Sequence, residues 1–402
     1  MREKLLAFSG AGTSVAAPPM LKMALPQTIY AVPGIECNIY FENVVDSAVF
    51  RNYAYEVRCE RGTQGEHRWF WTPGEEDAGQ SFELELRLFN DYGLVLSGKC
   101  RVAVAAKAAH PRRKFTLALL ADSGVNCEYP ARLLEVMREK GFVNYTPVGS
   151  HAGGGRPVVS GGVAHDGYGG FSWASFLTRW SYSFEELPEA QNKAEEEQMR
   201  ALGVHDLPKS QAYRLRSPLL RLENGKPVPD IPGWLGRINK GKAPDYIVIQ
   251  LGGNDMFNAR PEELDARSEK IMGNARKLLE LLRKYAPRAV FGVTTGPCGC
   301  GQDGFGANYG CMQSMYQYRR NIQRYNRDLA ALVASLNDPL TVLVPLHHCL
   351  DPENSYLTGT FKAHARSFKE VVRDRNGLHP SGEGGSQMAD AIACWLIKQR
   401  EK

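Results

Sequence analysis

The sequence contains no run of about 18 uninterrupted apolar residues, so a membrane-crossing helix is not expected. It also lacks a strong charge of either sign. Lys and Arg number 49 against 44 Asp and Glu, a surplus of five, which gives no basis for expecting nucleic acid or an acidic membrane as partner. It lacks the cysteine pattern of a small disulfide-framed domain: the nine cysteines are an odd number and cannot all pair within one chain. No internal repeat is found. What is present is ordinary globular composition, 43% apolar with a mean hydropathy of −0.36. The 402 residues are enough for two or three domains, each burying its own core.

The first residues loosely resemble a signal peptide. Arg2 and Lys4 precede Leu5-Leu6-Ala7-Phe8, and Ser14-Val15-Ala16-Ala17 supply small residues, but the apolar stretch is short and Pro18 follows the expected cleavage point. Export and a cytoplasmic location are both compatible with this pattern. Residues 1–25 are taken as an N-terminal segment. Residues 26–106 read as all-β, a small Ig-like sandwich module. Glu83-Leu84-Glu85-Leu86-Arg87-Leu88 alternates strictly, as a strand with one buried face does, and Asn90-Asp91-Tyr92-Gly93 supplies turn chemistry before a return strand. Segments at 28–32, 37–41, 53–59 and 68–71 add further short strands. Such a helix-free module serves equally as a spacer or a ligand binder. Residues 107–114 form a linker.

Beyond the linker, from 115 to 402, strands alternate with long amphipathic helices. Strands are predicted at 115–121, 143–148, 245–251, 289–295 and 340–346. Helices are predicted at 130–140 and 261–285, along Tyr318–Leu336, and at 383–400, each with apolar residues spaced by three and four. Five β/α units imply a five-stranded parallel sheet covered on both faces, a three-layer α/β/α arrangement. Two stretches interrupt the scheme, 181–244 and the Gly- and Cys-rich 297–311. Such insertions either shape a site at the strand ends or are solvated excursions.

Ligands of an open parallel sheet sit beyond the carboxyl ends of its strands. After the first strand stands Ala121-Asp122-Ser123-Gly124, where Ser123 is either a nucleophile or an ordinary turn residue. After the third stands Gly252-Gly253-Asn254-Asp255, with a side-chain amide at the rim. Before the last helix stands Asn376-Gly377-Leu378-His379-Pro380, with His379 a candidate general base.

In this order and on these elements, the three pieces resemble the blocks of the SGNH (GDSL-type) hydrolase superfamily. A fourth block looks like His165-Asp166-Gly167-Tyr168-Gly169-Gly170-Phe171-Ser172-Trp173, whose Gly-Gly-aromatic-Ser-Trp ending resembles the carbohydrate-esterase branch, and some bacterial members of that branch carry a similar appended sandwich. The resemblance implies a flavodoxin-like SGNH domain and serine esterase chemistry on short acyl groups, acetyl foremost, carried by a carbohydrate or another small ester. It implies no cofactor and no metal. Carried over, Ser123 is the nucleophile, His379 its base, and the backbone N–H groups of Ser123 and Gly170 with the Asn254 amide form the oxyanion hole. No Gly-x-Ser-x-Gly elbow occurs, which argues against an ordinary α/β-hydrolase.

Two positions depart from the pattern. Ala121 replaces the first glycine of the Gly-Asp-Ser block, and Asn376 stands where the family has an acid three residues before the His. Asn376, Asp374 or a backbone carbonyl then remains to orient His379. Trp173, Phe305 and Tyr309 are candidates for substrate contact, each also readable as core or loop packing. Cys298, Cys300, Cys311, His347, His348 and Cys349 fit no common zinc spacing; Cys298 or Cys300 pairs with Cys311, or all are free thiols. A lipase or thioesterase-like acylhydrolase is the alternative enzyme, disfavoured by the lack of an apolar lid-like stretch. A non-catalytic carbohydrate-binding relative, with Asn376 marking lost activity, is the alternative from another class.

Overall fold

The computed structural model describes residues 21–46, 49–107, 112–150, 162–179, 217–308 and 310–401. The whole of the possible signal peptide and most of the 181–244 insertion lie outside them.

The N-terminal region is all-β apart from one short α-helical turn and two 3₁₀ turns, and two of its sheets face a common core. One sheet has strands β1 (Thr28–Ala31), β3 (Ala54–Arg58), β6 (Ser81–Asn90) and β7 (Gly93–Val104) in the order β1-β7-β6-β3. The other runs β2 (Cys37–Tyr40), β5 (Arg68–Trp71), β4 (Thr63–Gln64). The alternation read from the sequence decides which face is buried. Phe82, Leu84, Leu86 and Leu88 point inward to meet Ile39, Trp69 and Val102, while the intervening Glu83 is exposed. The helix-free expectation is corrected at Phe41–Val44, here α1, where Phe41 and Val44 are buried.

The α/β part is built on β8 (Phe115–Ala121), β9 (Tyr145–Val148), β11 (Tyr246–Gln250), β12 (Val290–Thr294) and β13 (Thr341–Val344), all parallel, in the order β9-β8-β11-β12-β13. The two-residue β10 (Asp166–Gly167) pairs with the end of β8 as a sixth strand. Numbered along the chain, the five long strands lie 2-1-3-4-5, the flavodoxin-like order, whose switch point falls between β8 and β11. β8 is central, which is why its sequence is continuously apolar rather than alternating.

The helices cover both faces. The main ones are α2 (Tyr129–Glu139), α3 (Trp173–Thr178), α4 (Leu264–Tyr285), α5 (Met315–Ser335) and α6 (Gly382–Gln399). Neighbouring residues of β12 show the two sides: Phe291 lies under Arg283 of α4, with 3.9 Å from guanidinium to ring centroid, whereas Gly292 lies against the Trp395 ring of α6. Successive strand residues point to opposite faces, so α4 and α6 are on opposite sides of the sheet. The expected stripes are the buried ones: Ile271, Ala275, Leu278 and Leu282 on α4, and Met388, Ile392, Trp395 and Leu396 on α6.

One element was not anticipated. Residues 356–380, to which the sequence reading assigns no strand or helix, form an antiparallel hairpin of β14 (Tyr356–Lys362) and β15 (Glu370–Pro380). Its strands carry charged and apolar residues without regular alternation, because most of both strands is exposed and no core imposes a period.

The all-β region packs on the α/β part through buried polar contacts. The Tyr40 N–H donates to the His348 carbonyl (2.9 Å), the Asn43 amide to Leu350 O (2.7 Å), and the Gln323 amide to Val45 O (3.0 Å). Val32, Ile35, Phe50 and Ala105 extend the core of the α/β part. Beside these, Arg319 of α5 pairs with Glu42 at 2.9 Å, both side chains largely buried, and also donates to Gly299 O (3.4 Å). Glu42→Ala leaves that guanidinium buried without its carboxylate. A loss of about 3–5 kcal/mol is expected, read as a lower denaturant midpoint at unchanged slope.

Candidate active site

The site lies at the switch point, where β8 and β11 end. β8 runs into a tight 3₁₀ turn over Ser123–Cys127. Asp122 caps that turn, its carboxylate accepting from the Gly124 N–H at 2.8 Å, so Ser123 stands at the head of the turn with its side chain half-exposed. Gln250, the last residue of β11, donates to the same carboxylate (3.2 Å) and so ties the two strand ends together. Gly252 follows with φ +116°, and a Cβ there would run into the Tyr325 ring; this backbone path needs glycine.

His379 arrives from the other direction, near the end of β15. Its Nε2 lies 2.9 Å from Ser123 Oγ. Burial holds its pKa below the ordinary 6.5, which favours the neutral imidazole. Behind it, Asn376 Oδ1 accepts from the backbone N–H groups of Leu378 (3.0 Å) and His379 (3.1 Å), an arrangement that clamps the turn. His379 Nδ1 lies 3.1 Å from Asn376 Nδ2 and 3.3 Å from Oδ1. Asp374 is employed elsewhere: its carboxylate accepts from the Gly301 N–H at 3.1 Å, in the loop beneath the hairpin.

Ser123, Gly170, Asn254 and His379 line one cavity of about 430 Å³. Asn254 donates one N–H of its amide to Phe171 O (2.9 Å), and Asp255 accepts from the Trp173 N–H (3.3 Å to each oxygen), so adjacent residues fix the Gly170–Trp173 segment against the end of β11. A neutral imidazole beside a serine hydroxyl can take its proton as the oxygen attacks an ester carbonyl. Backbone and amide N–H groups on the same wall can receive the developing oxyanion.

The aromatic candidates lie elsewhere. Trp173 is fully buried, donating its indole N–H to Tyr325 OH (2.9 Å). Phe305 is buried against Tyr318 and under Gly377. Neither lines the cavity, and Tyr309 lies outside the described residues. The apolar wall comes instead from Phe257, Tyr318, Leu378 and Met388. Gln250 was a missed signal: a polar side chain closing an otherwise apolar strand at the sheet's ligand edge.

The cysteines are free thiols throughout, including Cys298, Cys300 and Cys311. His347 and His348 are buried and engaged with Thr295, Ala24 and Asn38, with pKa values pushed down to about 4 and about 3.

The profile of the family described as GDSL-like Lipase/Acylhydrolase matches residues 155–392. The chain belongs to this family. The matched stretch takes in Gly170, Asn254, Asn376 and His379, and Ser123 joins them through the fold. A GDSL-like acylhydrolase is an ester hydrolase, and this one has the family's SGNH-type α/β sheet. Similar solved structures include a carbohydrate esterase family 3 protein from Talaromyces cellulolyticus, 18% identical over 71% of this chain and 98% of that one, TM-score 0.40. Others are a family 3 carbohydrate esterase from Clostridium thermocellum (15% identity, 72% and 98% coverage, TM-score 0.40) and a family 2 enzyme with its carbohydrate-binding domain from Corynascus thermopiles (12%, 92% and 92%, 0.34). A search of curated proteins finds no match.

Two carboxyls, one buried (Asp122) and one half-buried (Asp255), flank the acylhydrolase site. Burial pushes Asp122 up to about 6 and Asp255 up to about 7. A carboxyl whose pKa is raised in the fold binds its proton more tightly there. Its contribution to stability is complete below the ordinary value of 3.8 and lost as pH rises to about 7. Asp255→Asn keeps an acceptor for the Trp173 N–H without the charge. It is expected to raise Tm at about pH 8 and change it little at about pH 5; an equal shift at both would reject the buried charge as the cause.

Proposed function

We propose that this acylhydrolase removes short acyl groups, acetyl foremost, from a carbohydrate, with Ser123 as nucleophile and His379 as base. The observation that carries the reading is the 2.9 Å contact between Ser123 Oγ and His379 Nε2 inside a cavity of about 430 Å³ shared with Gly170 and Asn254. His379 takes the Ser123 proton, the oxyanion of the tetrahedral intermediate is held by the Ser123 and Gly170 N–H groups and the second amide hydrogen of Asn254, and the alcohol leaves with the proton from His379. A water then repeats the sequence on the acyl-enzyme. The Gly169-Gly170-Phe171-Ser172-Trp173 sequence, which resembles that of carbohydrate-esterase-type members, supports a short acyl group on a sugar alcohol. In this reading residues 26–106 form a β module that braces the hydrolase unit of residues 115–402.

p-Nitrophenyl esters of graded chain length test the acyl preference, and acetate release from acetylated polysaccharides tests the alcohol. kcat/KM is expected to fall steeply beyond about four carbons, since a chain that does not fit forfeits its burial energy of about 0.8 kcal/mol per methylene. A rising profile towards long chains would favour the lipase reading.

A further inference from the structure

The hairpin that delivers His379 is also a basic segment of the described surface. Between Tyr356 and Asn376 it carries Lys362, Arg366, Lys369, Arg373 and Arg375 against Glu370 and Asp374, a surplus of three in a chain whose whole surplus is five. All five cationic side chains are exposed. Asp374 is turned inward to Gly301, and Arg373 shares one exposed ion pair with Asp303 at 3.5 Å. Among the described residues Lys362, Arg366, Lys369 and Arg375 form no ion pair. Leu357, Phe361, Phe368 and Val372 are exposed on the same arm, Phe368 completely.

We infer that this hairpin is a docking arm for a polysaccharide bearing carboxylates, and that it leads the polymer to the cavity. The inference rests on the proposed carbohydrate reading and narrows it to a class of substrate. Three observations support it. First, the cations are distributed along the arm, from Lys362, Arg366 and Lys369 towards the tip to Arg373 and Arg375 near the base, and Arg375 is four residues from His379. Second, at about 3.3 Å per residue the seven-residue β14 reaches about 23 Å, the length of several sugar units. A linear polyanion lying on the face of Gly359, Phe361 and Val371 meets Arg373 and Arg375 on its way from the tip to Leu378, His379 and Pro380, which line the cavity. An acidic membrane would meet the tip alone and leave the cavity a strand's length away. Third, the base is held fast, with Asp374 bonded to the Gly301 N–H, the Cys300 N–H to Gly377 O (3.1 Å), and Phe305 packed under Gly377, so the arm has a fixed relation to His379. Guanidinium and ammonium groups pair with carboxylates through charge-assisted hydrogen bonds, and the exposed phenyl rings supply apolar contact between them.

The test uses the full chain and two readouts. In gels containing polygalacturonate the protein is expected to be retarded, in gels containing dextran not, and about 0.5 M NaCl should abolish the retardation. The triple variant Lys362→Ser/Arg366→Ser/Lys369→Ser should lose the retardation. It should raise KM for acetylated pectin about tenfold and leave kcat/KM on p-nitrophenyl acetate within about twofold. Absence of retardation of the folded wild type, or equal retardation of the triple variant, overturns the inference. Sedimentation with phosphatidylglycerol vesicles in place of polygalacturonate binding overturns it in favour of a membrane. The two readings fail separately: retardation without ester hydrolysis sinks the esterase mechanism and keeps the arm, whereas hydrolysis without retardation does the reverse.

Discussion

Ser123→Ala is expected to lower ester hydrolysis by about 10⁴-fold or more while leaving the fold intact. The side chain is half-exposed at the head of a turn, and its removal opens no cavity in the core. The turn itself is capped by Asp122, whose bond to the Gly124 N–H at 2.8 Å does not involve the hydroxyl. Far-UV circular dichroism and Tm should therefore match the wild type. A fluorophosphonate should label the wild type and not the variant. His379→Ala should cost nearly as much alone, and the double variant little more, because the two groups act as a unit. Retained activity in Ser123→Ala would remove the serine mechanism, and the buried thiol of Cys127 nearby offers no substitute, since burial pushes its pKa up to about 12. With burial holding His379 below the ordinary 6.5, the acid limb of kcat/KM is expected below that pH.

Asn376→Asp is expected to raise kcat about tenfold to hundredfold. Two tautomers of His379 compete at the wild-type site. If Nδ1 carries the proton it donates to Asn376 Oδ1, 3.3 Å away, and Nε2 offers a lone pair to Ser123. If Nε2 carries the proton, Asn376 Nδ2, at 3.1 Å, donates to Nδ1 and the imidazole cannot act as base. The Asn376 oxygen is already committed to the Leu378 and His379 N–H groups, which turns its nitrogen towards the ring. An aspartate can keep that clamp with one oxygen and accept from Nδ1 with the other. It removes the unproductive tautomer and stabilises the imidazolium by charge. The acid limb should move upward at the same time, because a neighbouring carboxylate raises the His379 pKa. An unchanged kcat with an unchanged acid limb would mean that Asn376 does not set the tautomer. Asp374→Ala, by contrast, acts through Gly301 and the loop beneath the hairpin, and should disturb KM for polymer more than the chemistry.

The α/β sheet was legible because its signals are local and strong. Phe115–Ala121 is apolar on both faces because it is central, and the α4 and α6 stripes are buried where the spacing placed them. The candidate site was legible for a different reason: Ser123 and Asn254 follow the ends of β8 and β11, which the parallel sheet brings together without any signal between them in sequence, and the hairpin strand β15 then delivers His379 to them. The placing of Trp173 was not legible. A tryptophan at the start of a helix looks the same whether it faces a pocket or a core, and here a hydrogen bond to Tyr325, 152 residues away, fixes it in the core. The hairpin was illegible for want of a buried face. Nor does composition reveal that Glu42 and Arg319, which bind the β region to the α/β part, belong together; that is a contact of topology.

The nine thiols now bear on something practical. Eight are buried and Cys59 is partly covered, and none is cross-linked. No covalent staple holds any part of the molecule closed, so alkylating reagents reach most of these sulfurs only when the chain opens. The rate at which successive cysteines acquire label is then a clock for breathing, region by region: Cys37 and Cys100 report on the β region, Cys127 on the turn beneath Ser123, and Cys394 on the last helix. The odd number that gave no disulfide framework leaves the protein with a built-in set of reporters for where it comes apart first.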